Sequence, residues 1–126
     1  MDLLLDSHVA LWWVAGDSAL GSNAVAAIVE ADQVFVSVVT PWELGIKRAS
    51  GKLEFPSGLT AELTDAGFSM LPIFAQHAEA APVLPTHHRD PFDRMLIAQA
   101  RFERLQIVTA DAVIRNYEVE VLDAER

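Results

Sequence analysis

The chain has 126 residues, of which 52% are hydrophobic, and this length and composition are typical of one compact domain with a substantial core. The first residues lack the basic stretch of a secretion signal, and no apolar run approaches the roughly 20 residues that span a bilayer. Cysteine is absent, which excludes disulfides, zinc–thiolate sites and thiol nucleophiles. We therefore expect a single cytoplasmic domain over residues 1–126, without a membrane partner, in which oxygen or imidazole ligands hold any metal.

The formal net charge of −9 argues against a protein that holds phosphates by surface charge alone. Three explanations for the excess of acids stay open. They keep a small protein soluble, or they gather in a cleft that recruits divalent cations, or they complement a basic partner. Composition alone does not choose among these explanations.

Short apolar strands and amphipathic helices alternate in the first half of the chain. In chain order the pattern predicts a strand at Leu3–Leu5, a helix over residues 8–15 that Gly16 ends, a helix from Ser22 as N-cap toward Asp32, a buried strand over residues 34–39, and a helix that begins at Thr40 and Pro41 and ends near Gly51.

The second half repeats the alternation. We predict a helix between residues 57 and 67, a strand at 68–73, a short helix at 76–81, a proline-containing loop at 82–91, an amphipathic helix from 91 through 102, a strand at 107–108 that leads into Thr109, a short helix, and a strand at 119–122. Such alternation predicts an α/β fold with three layers, in which helices cover both faces of a short, mostly parallel sheet. Ligands of such folds bind beyond the carboxyl ends of the strands.

Each acid near these strand ends has an ordinary explanation when it is taken singly. An acid there accepts hydrogen bonds from the free N–H groups that begin the next helix. Asp6 would cap the first helix, Glu43 fits a capping box with Thr40, Asp90 would cap the helix that carries Asp93 in its first turn, and Asp111 would cap the last helix.

The acids are more informative as a set. Asp6 and Asp111 follow predicted strands, whereas Glu43 and Asp93 lie in the first turns of helices that start on the same edge of the sheet. Convergent carboxylates repel one another unless a cation neutralises them, so the set indicates a metal site. Carboxylate oxygens suit Mg²⁺ or Mn²⁺, and the chemistry of these ions is mostly on phosphates.

Four segments carry a resemblance to a known family. They are Leu3-Leu4-Leu5-Asp6-Ser7-His8, Ser37-Val38-Val39-Thr40-Pro41-Trp42-Glu43-Leu44, His88-Arg89-Asp90-Pro91-Phe92-Asp93-Arg94, and Val108-Thr109-Ala110-Asp111. In their order and spacing the chain resembles PIN-domain ribonucleases, and among them the VapC-type toxins of bacterial toxin–antitoxin pairs. Pro41 lies where relatives often carry another residue, which affects only the expected start of that helix.

The resemblance implies a fold, a cofactor and partners. It implies a PIN-like fold, RNA as the substrate, Mg²⁺ or Mn²⁺ as the cofactor, a VapB-type antitoxin that covers the acids, and a homodimer. Asp6 and Asp93 would be the closest metal ligands, while Glu43 and Asp111 complete the site. Asp90 would join the outer shell, and Thr109 would orient water or a ligand. Independently of the resemblance, the guanidinium of Arg94 suits a phosphate of the substrate or a salt bridge that orients Asp90 or Asp93.

Other polar residues have weaker support. His8 and His77 lie in helical patterns and are expected to be exposed or capped. His87, His88 and Arg89 could contact RNA, and Lys47, Arg48 and Lys52 form a basic stretch that is more typical of a solvated helix end. Trp12, Trp13 and Trp42 are core candidates, but the adjacent pair cannot both point inward from one helix.

Two other functions compete with the nuclease. An aspartate after the first parallel strand is also typical of magnesium-dependent phosphatases and phosphoacceptor domains. The former need Asp-x-Asp where this chain has Asp6-Ser7-His8, and the latter need an acceptor after a central strand, which residues 68–73 do not supply. A non-catalytic PIN-like binding module is the second alternative, and its usual mark, the loss of one of the acids, is absent.

Overall fold

The computed structural model describes residues 2–126, and its five short strands form one sheet. The strands are β1 (Leu3–Leu5), β2 (Val34–Ser37), β3 (Ser69–Leu71), β4 (Gln106–Thr109) and β5 (Val121–Asp123), arranged in the order β3-β2-β1-β4-β5. All of the pairings are parallel, and in the centre Leu5 lies opposite Val36 on one side and Val108 on the other. The predicted α/β fold is confirmed, with a sheet that is entirely parallel.

Helices connect the strands and cover both faces of the sheet. They are α1 (Ser7–Ala15), α2 (Ser22–Glu30), α3 (Val39–Ala49), α4 (Leu59–Asp65), α5 (Ala75–Ala80) and α6 (Pro91–Glu103), with 3-10 helices at Ala81–Val83 and Ala112–Asn116. Within residues 2–126, no helix has the length and apolar character needed to cross a membrane.

The alternation of side chains along β1 divides the core into two halves. Leu3 and Leu5 point to one face and pack in a cluster with residues of α1, α2 and α4, such as Val9. Leu4 points to the other face and packs in a cluster with Leu96 of α6 and with Ile114. Since both clusters consist of buried apolar side chains, β1 is covered on each side and the predicted three layers are present.

Two helix starts differ from the prediction. Ser22 is the first residue of α2 and not its cap; Gly21 holds the cap position, where a Cβ atom would lie 2.2 Å from the backbone carbon of Arg126. The close approach of the last residues therefore requires glycine there. Helix α3 begins at Val39, before Thr40, so β2 ends at Ser37, whose hydroxyl accepts a hydrogen bond from the amide of Val39 at 3.1 Å.

Candidate active site

Asp6 lies between β1 and α1 and is 8% exposed. Its Oδ1 accepts the amide of Val9 at 2.9 Å, which is the predicted helix cap, and its Oδ2 accepts the hydroxyl of Thr109 at the end of β4. Burial raises the pKa of the Asp6 carboxyl, the two hydrogen bonds oppose this rise, and the charge of Glu43 adds to it. Asp6 is therefore held rigidly in a place that disfavours its charge.

Glu43 is buried in the second turn of α3 and does not reach back to the start of the helix. Its Oε1 accepts the hydroxyl of Ser7 at 2.8 Å, and its Oε2 accepts the ammonium of Lys47, one turn later, at 2.7 Å. The predicted capping box with Thr40 and the predicted first-turn position are both wrong, because α3 starts earlier and the hydroxyl of Thr40 lies 3.0 Å from that of Ser7. Chiefly the hydrogen bond to Glu43 raises the pKa of Lys47.

Asp90 and Asp93 begin α6 as predicted. Asp90 is the N-cap and accepts the amides of Phe92 and Asp93 at 2.8 and 3.3 Å, while Asp93 lies in the first turn after Pro91. Burial raises the pKa of Asp93 to about 7; the charges of Asp90, Glu43 and Asp6 also raise it, and His88 lowers it. The negative charges of Asp90, Glu43 and Asp6 therefore all disfavour the ionised form of Asp93.

Asp111 follows β4 and caps the 3-10 helix, again as predicted. Its Oδ1 accepts the amide of Val113 at 2.9 Å, and its own amide donates to the hydroxyl oxygen of Thr109 at 3.0 Å. Its Oδ2 lies 2.8 Å from Nε2 of His88. Asp111 is thus hydrogen-bonded to Thr109 through its amide and to His88 through its carboxylate.

Two side chains join the acids into one cluster at the carboxyl edge of the sheet. Thr109 connects Asp6 to Asp111, since its hydroxyl donates to the former and accepts from the latter. His88 connects Asp111 to Asp93, whose Oδ2 lies 3.0 Å from the same Nε2 atom. Glu43 belongs to the same cluster because its negative charge raises the pKa values of Asp6 and Asp93. The structure therefore brings together the acids that the strand-end argument selects.

Sequence reasoning missed several of the supporting contacts. The sequence suggests His88 as an RNA contact and not as the partner of two acids, and it gives no indication that Ser7 is a partner of Glu43. No local signal identifies His88, because it lies 23 residues before Asp111 and the contact depends on tertiary folding. Lys47 did carry a signal, since the spacing from Glu43 is the i, i+4 spacing of helical ion pairs.

The role of Arg94 differs from the expectation, whereas His77 takes part in the cap of α5, which is one of the two alternatives expected for it. The guanidinium of Arg94 forms no salt bridge to Asp90 or Asp93; it donates to the backbone carbonyls of residues 82, 84, 85 and 88. His77 is fully buried, with its Nδ1 accepting the amide of Phe74 at 3.0 Å. The adjacent tryptophans are both half-buried, and it is Trp42 that is most exposed, edge-on to Phe92 with ring centroids 5.1 Å apart.

The donor set of this cluster fits a hard divalent cation. Among residues 2–126, hydrogen bonds reach both carboxylate oxygens of Asp6, Glu43 and Asp111, whereas Asp93 has only the 3.0 Å contact of its Oδ2 with Nε2 of His88. Ligand atoms of His88, Asp93 and Asp111 lie within 4.8 Å of one another. A cluster of acids in which the pKa values of Asp6 and Asp93 are raised and one carboxylate oxygen of Asp93 is unbonded suits Mg²⁺ or Mn²⁺, which prefer oxygen ligands and retain water.

Comparison with known proteins gives the family. The sequence matches the PIN domain over residues 3–120. The chain belongs to the PIN domain family. This PIN domain is 32% identical over 122 residues to Ribonuclease VapC22 of Mycobacterium tuberculosis (strain ATCC 25618 / H37Rv), and the match covers 91% of each chain. The resemblance inferred from the four sequence segments is confirmed at the level of the family.

Solved structures of similar fold support the architecture of this PIN domain. One is VapBC2 from Rickettsia felis bound to a DNA fragment from the promoter, with a TM-score of 0.71, 12% identity, and coverage of 97% of this chain and 98% of that one. Another is a toxin–antitoxin complex from Klebsiella pneumoniae, with a TM-score of 0.68, 17% identity, and coverage of 97% of both chains. At these identities the likeness concerns the fold.

Proposed function

We propose that this PIN domain is a divalent-metal-dependent endoribonuclease and the toxin of a toxin–antitoxin pair. Its catalytic acids are Asp6, Glu43, Asp93 and Asp111, and its metal is Mg²⁺ or Mn²⁺. The support is the acidic cluster at the carboxyl edge of the sheet together with the relative that is named a ribonuclease. Asp90, Thr109 and Arg94 support the site from outside the metal ligands.

The environment of Asp93 carries the proposal. Burial and the surrounding acids raise the pKa of its carboxyl to about 7. Its Oδ2 contacts His88, but its Oδ1 has no hydrogen-bond donor among residues 2–126. A half-buried carboxylate with a free oxygen and acidic neighbours gains most from a cation. A purely structural cap would instead accept helix amides, as Oδ1 of Asp90 accepts those of Phe92 and Asp93.

The residues of the chain divide the work of the site. A bound divalent ion supplies Lewis acidity and lowers the pKa of the water that attacks the phosphodiester. Asp6 and Asp93 present charge toward it, and Thr109 fixes the orientation of Asp6. Ser7 and Lys47 hold Glu43 at the edge of the same cluster. Because these carboxylates are held by hydrogen bonds before the substrate arrives, the site is preorganised.

The first experiment measures cleavage of RNA by purified variants. Asp93→Asn and Asp6→Asn remove a charge but keep the side-chain volume, so we expect both variants to fold and to lose Mg²⁺- or Mn²⁺-dependent cleavage. Asp65→Asn, an exposed acid at the end of α4, is the matched control and is expected to cleave like the original chain. Undiminished cleavage by Asp93→Asn would refute the assignment.

The cellular role is tested by expression without a partner. We expect growth to arrest when the chain is produced alone and to resume with Asp93→Asn at the same protein level. Sequencing of RNA ends after brief expression, with the variant as control, identifies the substrate. If the chain does not inhibit growth in several hosts, the toxin role is wrong even where the purified protein cleaves RNA.

The proposed partners are a VapB-type antitoxin and a second copy of this chain. The support is that similar structures are named as toxin–antitoxin complexes. The antitoxin would lay a segment across the acids, and a basic side chain of that segment would complement their charge. Co-expression with a VapB-type antitoxin is expected to relieve the arrest, and light scattering is expected to give the mass of a homodimer. An arrest that persists would exclude that partner.

A further inference from the structure

The loop over residues 82–90 is held in one conformation by two side chains from outside it. Arg94 donates from Nη1 to the carbonyls of Pro85 and His88 at 3.1 and 3.0 Å, and from Nη2 to those of residues 82 and 84 at 3.1 and 2.8 Å. Tyr117 donates its hydroxyl to the carbonyl of Pro85 at 2.7 Å and accepts the amide of His88 at 2.7 Å. The backbone of His88 is therefore bonded through both its N–H and its C=O.

The hydrogen bonds of the His88 ring assign its tautomer. Nδ1 accepts the backbone amide of Asp90 at 3.2 Å, so it carries a lone pair and the ring proton lies on Nε2. That Nε2 atom lies 2.8 Å from Oδ2 of Asp111 and 3.0 Å from Oδ2 of Asp93. The ring thus presents one N–H to two carboxylates that belong to different elements of the fold.

This geometry distinguishes two roles for a histidine beside a metal site. A ligating imidazole needs the lone pair of the ligating nitrogen, and its other nitrogen then carries a proton that it donates to a carbonyl or carboxylate. His88 has the reverse arrangement, since its second nitrogen accepts a hydrogen bond from the backbone amide of Asp90. Although His88, Asp93 and Asp111 lie close enough together to share an ion, the imidazole faces the acids as a donor.

We propose that His88 is a positioning residue that sets the spacing and orientation of the Asp93 and Asp111 carboxylates for the divalent cation, and that it is not itself a metal ligand. This proposal rests on the proposed function, because it assumes that these acids hold the metal. Partners of this kind, which orient ligands without binding the metal, typically contribute 10–100-fold to metal affinity or activity.

The test measures Mn²⁺ affinity in the absence of RNA, by calorimetric titration of four proteins. We expect His88→Ala to weaken Mn²⁺ binding by about 10–100-fold relative to the original chain. His88→Gln is expected to bind within several-fold of the original, because the Gln amide restores an N–H donor near the position of Nε2. His87→Ala is the matched control and is expected to bind normally, since the ring of His87 is exposed and lies edge-on to Tyr117.

Two further readouts separate positioning from ligation and from a folding defect. Raising the Mn²⁺ concentration is expected to restore the RNA cleavage rate of His88→Ala, because the acids remain. Pulsed EPR of Mn²⁺ bound to the original chain is expected to lack the ¹⁴N coupling of a coordinated imidazole. A ¹⁴N coupling that disappears in His88→Ala would overturn the proposal in favour of a nitrogen ligand.

The outcomes distinguish this proposal from the function on which it rests. If the original chain binds Mn²⁺ and cleaves RNA but His88→Ala binds Mn²⁺ equally well, the positioning role is wrong and the nuclease stands. If the original chain neither binds Mn²⁺ nor cleaves RNA, the proposed function fails first. If His88→Ala does not fold, His88→Gln decides: near-normal affinity supports the proposal, and a 10-fold or larger loss in the folded variant overturns it.

Discussion

The hydroxyl of Thr109 donates a hydrogen bond to Oδ2 of Asp6, although the two residues are 103 positions apart in the chain. The contact is made possible by the pairing of β1 with β4, in which Leu5 lies opposite Val108. Because the hydroxyl also accepts the amide of Asp111, one small side chain fixes two acids of the site. A threonine at the end of a strand therefore has a role in the geometry of the cluster.

Replacement of Thr109 tests this role. Thr109→Val keeps the shape but removes the hydroxyl, which leaves a buried carboxylate oxygen and an amide without their partner. We expect the free energy of unfolding to fall by roughly 1–3 kcal/mol in urea titrations. Thr109→Ser restores the hydroxyl and is expected to recover most of the loss. Equal stability of the Val variant and the original chain would contradict the prediction.

The raised pKa of Asp93 predicts how the stability of the metal-free protein depends on pH. In the folded chain the pKa of this carboxyl is about 7, whereas the usual pKa of an aspartate is 3.8. In EDTA the free energy of unfolding should therefore decrease as the pH rises from about 4 to about 7, because ionised Asp93 is favoured in the unfolded state. The contribution is on the order of 2 kcal/mol, which corresponds to several degrees in Tm.

Asp93→Asn isolates this contribution. The variant has no charge to bury, so in EDTA it should melt above the original chain at pH 8 and close to it near pH 4. Addition of Mg²⁺ at pH 8 is expected to raise the Tm of the original chain and to have little effect on the variant. A Tm difference that does not change with pH would show that Asp93 does not titrate as described.

Lys47 is the cation that pairs with Glu43, and its charge opposes that of any metal ion nearby. Lys47→Met is expected to lower the free energy of unfolding in EDTA by roughly 2 kcal/mol, since Glu43 stays buried without its ion pair. The same variant should bind Mn²⁺ several-fold more tightly, because one positive charge has left the cluster. Lys52→Met changes the net charge equally at an exposed position, so it should leave both quantities unchanged.

His77 is predicted to be purely structural, in contrast to His88. The ring is buried between Phe74 and Phe102, and its Nε2 lies 3.3 Å from Glu103. His77→Leu leaves the amide of Phe74 without an acceptor, so we expect a loss of roughly 2 kcal/mol in the free energy of unfolding. Mn²⁺ affinity should not change. A variant that stays stable but binds Mn²⁺ weakly would connect His77 to the site.

The fold was largely predictable because its signals are local. The runs at Leu3–Leu5 and around Val36 are apolar and bounded by polar residues, so strands and helices follow from periodicity, and the parallel sheet follows from their alternation. The errors fall at helix starts. Ser22 and Thr40 are favourable cap residues by type, but neither holds a cap position. Gly21 caps α2 because the backbone of Arg126 packs against it, and α3 already begins at Val39.

The candidate site was predictable in part. Asp6 and Asp111 are predictable because they follow strands whose carboxyl ends share an edge of the sheet, and this rule needs only the order of elements. His88 could not be assigned to Asp93 and Asp111, because its position depends on the carbonyl contacts of Arg94 and on Tyr117, which no spacing in the sequence reveals.

The central place of β1 also sets when the acidic cluster can form during synthesis. A nascent chain that ends before residue 106 lacks β4, so β1 is paired on one side only and Asp6 has no hydroxyl from Thr109. Asp111 and its bond to His88 come later still. Translation must therefore pass residue 111 before all four carboxylates can meet, and products that end earlier carry an incomplete site.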